Sequence, residues 1–126
     1  MNAQALARRA YAQTTAPTRT PRSAEYEVIA RMTHRLKSAA IESGSGLTPG
    51  LASALHDNRR MWTTLAADVA GKDNGLPAEL RARLFYLAEF TRLHTSAVLA
   101  GKASVAPLLE INTAILRGLR ERGGSE

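Results

Sequence analysis

The sequence predicts an all-α protein: a small antiparallel helical bundle of three long helices with shorter terminal helices. Three observations carry that expectation. The hydrophobic fraction is 44%, supplied mainly by Ala and Leu, with six aromatic residues in 126; such a profile, poor in β-branched runs, suits helices packed on helices. Apolar positions recur at alternating steps of four and three, the signature of one buried helix face. The pair Thr-Pro occurs at Thr20-Pro21 and at Thr48-Pro49, where the threonine can cap a helix and the proline's fixed φ suits the first helical position. The length is one domain's worth, residues 1–126, with 1–20 forming a short N-terminal helix and a proline-containing linker.

Taken in order, Ala3–Thr14 is a short helix with Leu6, Ala10 and Tyr11 on one side, and Thr14–Ser23 is the linker, punctuated by Pro17 and Pro21. The linker leaves the first helix free either to fold back over the bundle or to stand off as a detached arm. Pro21 opens the second helix, which runs to about Ser43 with Tyr26, Ile29, Met32 or Thr33, Leu36 and Ala40 inward. The third runs from Pro49 to Ala70, with Gly71 in the usual C-terminal glycine position. Its stripe is Leu51, Leu55, Asn58, Trp62, Leu65 and Val69. Pro77 opens the fourth, ending at Ala100, with Leu80, Leu84, Leu87, Thr91, His94 and Val98 inward. Ser104 caps a last helix carrying Val105, Leu108, Asn112, Ile115 and Leu119.

Composition removes several function classes. There is no cysteine, so disulfides, thiolate metal sites and cysteine nucleophiles are out. No apolar run approaches the roughly 20 residues needed to span a bilayer, and the N-terminal stretch has no apolar signal core, so the chain reads as cytoplasmic and without membrane insertion. His34, His56 and His94 fall on three helices, none in HxxxH or HExxH spacing, and "GSGLTPG" lacks both the lysine of a phosphate loop and a preceding strand. The expectation is a protein that is no enzyme and takes no cofactor or metal.

The stretch "LHDNRRMW" (Leu55–Trp62) sets Leu55, Asn58 and Trp62 on one helix face and turns Asp57, Arg60 and Met61 away. Trp62 reads as a core anchor whose N–H requires an acceptor. Asn58 sits within an apolar stripe, as Thr91 and Asn112 do on later helices, and one polar residue per stripe can set bundle register. Arg59 and Arg60 offer to pair with Glu89 or with a carboxylate on a partner. "LRARLFYLAEF" (Leu80–Phe90) is apolar around much of its girth, which predicts central burial; exposure of Phe85 or Phe90 would instead mark a face for a partner helix. Candidate partner-binding residues are therefore Asn58, Arg59, Arg60, Trp62, Phe85, Tyr86, Glu89 and Phe90.

The net charge of +6 is uneven, with +4 in residues 1–43 (seven basic, three acidic) and +2 in the remainder (ten basic, eight acidic). Arg8, Arg9, Arg19, Arg22, Arg31 and Arg35 form a candidate basic patch for RNA or acidic partners. No aromatic residue clusters with basic residues at the RNP-like or KH-like spacing of base-stacking RNA modules.

The segments "ALARRAYAQ", "TRTPRSAEYEVIARMTHRLKSA", "LASALHDNRRMWTTLAADVA", "NGLPAELRARLFYLAEFT" and "VLAGKASVAPLLEINTAILRGL" resemble the flagellar biosynthesis regulator FlaF family over roughly Asn2 to Leu119. The "HDNRR-x-W" core followed by "NxLPxxLRA" carries the resemblance, with Met61 standing where the family has Leu. The resemblance implies a small, non-catalytic cytoplasmic bacterial protein that promotes flagellin synthesis and secretion, working opposite a companion regulator, FlbT. It implies flagellin as partner, engaged in the manner of a secretion chaperone, because flagellin's terminal amphipathic helices bury their apolar faces only on assembly. Two alternatives stand beside it: direct binding of flagellin mRNA through the basic patch, and an adaptor acting on FlbT or the export machinery. The family supplies no catalytic residues.

Overall fold

The computed structural model describes residues 21–71 and 75–124. The Ala3–Thr14 helix and most of the linker expected after it lie outside the described residues, as do Arg8, Arg9 and Arg19. Four helices make up the described chain: α1 (Pro21–Ser43), α2 (Pro49–Ala70), α3 (Ala78–Leu99) and α4 (Ala106–Gly124). Among the described residues there is no strand, so the protein is all-α.

The helix boundaries follow local chemistry. Thr48 has extended backbone, its hydroxyl accepts the Leu51 N–H at 3.2 Å, and Pro49 takes the first helical position. Ser43 Oγ lies 2.6 Å from the same threonine hydroxyl, tying the end of α1 to the start of α2. At the far end of α3, Gly101 N–H donates to the Val98 carbonyl and Lys102 N–H to the Ala97 carbonyl, with Gly101 at φ 75°. That pair of bonds is a Schellman closure, and it requires a left-handed residue that glycine adopts without steric cost.

Three boundaries differ from the sequence expectation. Gly71 does end α2, but at φ −65°, ψ 138°, an extended conformation in which its N–H reaches the Asp68 carbonyl at 3.2 Å. Pro77 is the residue before α3 rather than its first, since its ψ of 147° is extended. Ser104 stands two residues ahead of α4, and its carbonyl is instead 2.8 Å from His94 Nε2.

The helices form a ring in chain order, α1 packing on α2 and α4, and α2 on α3, while α3 and α4 approach each other least. Two apolar clusters fill it. One joins Leu36 near the end of α1, Leu51 and Leu55 at the start of α2, Val98 near the end of α3 and Leu108 at the start of α4. The other gathers Trp62 and Val69 from later in α2, Leu84 from early in α3 and Ile115 from later in α4. Each fully buried Leu or Trp side chain contributes on the order of 2 kcal/mol of transfer free energy. The buried positions on all four helices fall on the stripes read from the sequence, with Thr95 and Ala54 added.

Candidate partner-binding groove

Between the apolar clusters lies a polar layer. Trp62 Nε1 donates to Asn112 Oδ1 at 2.9 Å, and Asn112 Nδ2 donates to Asn58 Oδ1 at 2.8 Å. All three side chains are buried to 1% exposure or less. α2 and α4 are not neighbours in the ring, so this chain of bonds crosses it on the diagonal. Thr91 and Thr95 of α3 are buried as well, their hydroxyls without a hydrogen-bond partner among the described residues. The layer places Asn58 and Trp62 in the core, where they hold the bundle together and present nothing to a partner. Trp62 is thus buried with its N–H satisfied, as expected of a core anchor, and Asn58 is buried within the apolar stripe where the sequence placed it.

Beyond that layer, toward the start of α1, the bundle opens. A cavity of about 480 Å³ is bordered by Leu65 and Val69 of α2, Leu80 and Leu84 of α3, and Ile115 and Leu119 of α4. It exists because α3 and α4, held together at the Gly101 turn, approach so little along the rest of their length. A second cavity, of about 470 Å³, runs between α1 and α2, over Val28, Ile29, Met32, Met61 and Leu65. The two adjoin at Glu25, Ile29 and Leu65, making one apolar trough along α1 and α2 into the mouth of the bundle. Val28 is 44% exposed on its wall. An apolar trough of this kind is suited to the hydrophobic face of an amphipathic helix.

Charged groups rim the trough: Glu25, Asp57, Asp68 and Glu79 against Arg60 and Arg83. Arg83 holds Glu79 at 3.0 Å, and Arg35 reaches over α2 to the Asp57 carboxylate and, at 3.1 Å, to Ser53. These exposed pairs orient the rim and contribute little to stability.

The remaining predicted site residues scatter. Arg60 lines the trough, but Arg59 turns to His56 Nδ1 at 2.9 Å. Neither arginine takes Glu89, which is held by Arg92 on its own helix through two bonds of 3.1 and 2.5 Å. That bonding holds the Glu89 carboxyl below its ordinary range and raises Arg92. A neighbour one turn away costs less conformational freedom than a cross-helix partner. Met61, expected to face away, is partly buried against the Trp62 cluster.

The predicted central burial of α3 does not hold. Phe85 and Tyr86 are 43% and 70% exposed and Leu93 is exposed beside them, because α3 packs chiefly on α2 and leaves its outer side uncovered. Phe90 is partly buried, stacked on His94 with ring centroids 5.3 Å apart. Of the basic patch, Arg31 is exposed and Arg35 is engaged with Asp57.

Sequence reasoning did not single out the trough residues Val28, Met32, Leu80 and Ile115 as a site. Each falls on or beside a core stripe, and nothing in a single sequence separates an apolar residue that meets a neighbour from one left facing a gap. Among the described residues no group of three or more His, Asp or Glu is placed to hold a metal ion, and no helix is long and apolar enough to cross a membrane.

A family model described as flagellar protein FlaF matches residues 7–119. No curated protein and no solved structure matches the chain.

Proposed function

The chain belongs to the FlaF family of flagellar proteins, and from that premise we propose that it is a non-enzymatic, cytoplasmic regulator that promotes flagellin synthesis and secretion by binding flagellin. The observation that supports this reading is the apolar trough along α1 and α2 and into the open end of the bundle. Flagellin's terminal helices each carry an apolar face that stays unpartnered until assembly. Laid in the trough, such a face is removed from water, which holds back polymerisation and keeps the chain competent for export. An effect on flagellin synthesis then follows from occupancy of the flagellin chain and needs no contact with its message.

The test is a calorimetric titration of the protein against monomeric flagellin and, separately, against the 5′ leader of its message, each at two salt concentrations. The reading expects roughly one-to-one flagellin binding that tolerates salt and carries the negative heat-capacity change of apolar burial. Binding only to the leader RNA, falling steeply with salt as phosphate contacts release counterions, would overturn it.

A second reading rests on the exposed Phe85, Tyr86 and Leu93 of α3. This strip lies apart from the trough and suits an adaptor that also contacts FlbT or the export machinery. A Phe85→Ser, Tyr86→Ser variant that keeps flagellin but loses FlbT in pulldown supports it.

A further inference from the structure

We propose that the polar layer between the two apolar clusters is a binding site for one internal water molecule, which accepts from Asn58 Nδ2 and bonds to Thr91 Oγ1. The inference goes beyond the functional reading and takes nothing from the trough.

Asn58 supplies the first half of the site. Its side-chain oxygen accepts from Asn112 Nδ2, but its own Nδ2 is buried with no partner among the described residues. A buried amide N–H left unbonded is costly, and in folded proteins such groups nearly always meet a protein acceptor or a water.

Thr91 supplies the second half. Its hydroxyl is as deeply buried and also lacks a partner among the described residues. Other helical hydroxyls of this protein turn back onto their own helix. Thr33 Oγ1 donates to the Ile29 carbonyl at 2.6 Å, Thr63 Oγ1 to the Arg59 carbonyl at 3.0 Å and Ser96 Oγ to the Arg92 carbonyl at 3.3 Å. Thr91 makes no such bond, which leaves its hydroxyl for the layer.

The packing brings the two halves to one level. α2 and α3 run in opposite directions, since Leu51 shares a cluster with Val98, and Trp62 shares the other with Leu84 and Leu87. Stepping by single turns from Leu51 and Val98 sets Leu55 opposite Thr95, Asn58 opposite Thr91 and Trp62 opposite Leu87. Thr95 therefore falls a turn away, among the leucines of the first cluster.

The donor set selects the guest. Asn58 Nδ2 offers only hydrogen, so the guest must accept, and a cation does not. Asn58, Thr91 and Asn112 carry no charge to balance an anion in the core. Water both accepts and donates. The three side chains are each smaller than the leucines of the same stripes, which allows one water at this level. The bonds from Trp62 through Asn112 to Asn58 join α2 to α4 alone; the water extends that tie to α3.

Oxygen-17 magnetic relaxation dispersion tests the proposal, because it counts water held for longer than the protein takes to tumble and is blind to hydroxyl protons. The amplitude of the full-length protein should fall by one water in Thr91→Val and stay unchanged in Thr95→Val. An amplitude that Thr91→Val leaves unchanged, or that Thr95→Val lowers, would overturn the proposal. If Thr91→Val does not fold, a crystal structure of the unsubstituted chain decides. An ordered water within about 3.2 Å of both Asn58 Nδ2 and Thr91 Oγ1 sustains the site. A direct bond between those two atoms, or a Thr91 hydroxyl seated on the Leu87 carbonyl, overturns it.

Discussion

Trp62 and Asn112, fifty residues apart in sequence, meet across the diagonal of the bundle through a 2.9 Å N–H···O bond, and Asn112 passes the connection on to Asn58. A buried indole N–H and a buried amide oxygen are both satisfied by one side chain. Asn112→Ala should therefore destabilise the fold by about 3 kcal/mol, combining two orphaned polar groups with a small cavity. Urea unfolding followed by Trp62 fluorescence measures it. A loss below about 1 kcal/mol would mean that the layer is far less demanding than its burial implies.

Thr95 presents the opposite case. Its hydroxyl is buried without a partner among the described residues, and valine has nearly its shape. Thr95→Val should raise stability by about 0.5–1 kcal/mol, read as a higher urea midpoint at unchanged m-value.

Two glycines should respond with opposite signs to alanine. Gly101 sits at φ 75° in the closure of α3, and Gly101→Ala should cost about 1–2 kcal/mol through left-handed strain. Gly118 is helical, and a Cβ there meets nothing within 4 Å, so Gly118→Ala should add about 0.5–1 kcal/mol. Thermal melts of the two variants side by side decide the matter.

Glu89 titrates below the ordinary carboxylate range because Arg92 bonds its charged form. A depressed folded pKa means that any contribution is present above the unfolded pKa and fades as pH falls through the folded one. The pair is exposed, so its weight in global stability is small. Carboxyl NMR should nevertheless show the Glu89 midpoint rising in Arg92→Ala; an unchanged midpoint would show that the pair does not form in solution.

Val28 lies on the wall of the trough and is exposed enough to change without disturbing the core. Val28→Ser should weaken flagellin binding several-fold, with a loss of about 1 kcal/mol from the missing apolar contact, while leaving the thermal midpoint nearly unchanged. Equal affinity in wild type and variant would move the flagellin site away from the α1–α2 wall.

The start of α2 was legible because a threonine cap and the proline after it act within a few residues of themselves; the Thr20 cap expected for α1 lies outside the described residues. The core was legible for a related reason: a stripe such as Leu51–Leu55–Asn58–Trp62 reveals which side faces inward whatever lies opposite. Asn58 and Asn112 could each be recognised as stripe-breaking polar residues, but their bond to each other depends on a diagonal placement that no local pattern encodes. Phe85 and Tyr86 were harder still. An apolar girth is compatible with burial or with an open face, and only the poor apposition of α3 and α4 decides between them. The trough follows from that same apposition, a property of how whole helices lean. Arg59 and Glu89 went to partners one turn away because local pairs form at lower entropic cost than distant ones.

The diagonal tie has a mechanical consequence. Sliding α4 along α2 by a single turn, about 5.4 Å, would break both hydrogen bonds of the Asn112 side chain at once, so the middle of the bundle resists shear. The mouth, where α3 and α4 stand apart, carries no such tie among the described residues. A guest that spreads the mouth is therefore met by helices that pivot about the Trp62–Asn112 layer, as blades turn on a pin. The Leu36–Leu108 end lies behind the pin, on the far side of that layer from the mouth.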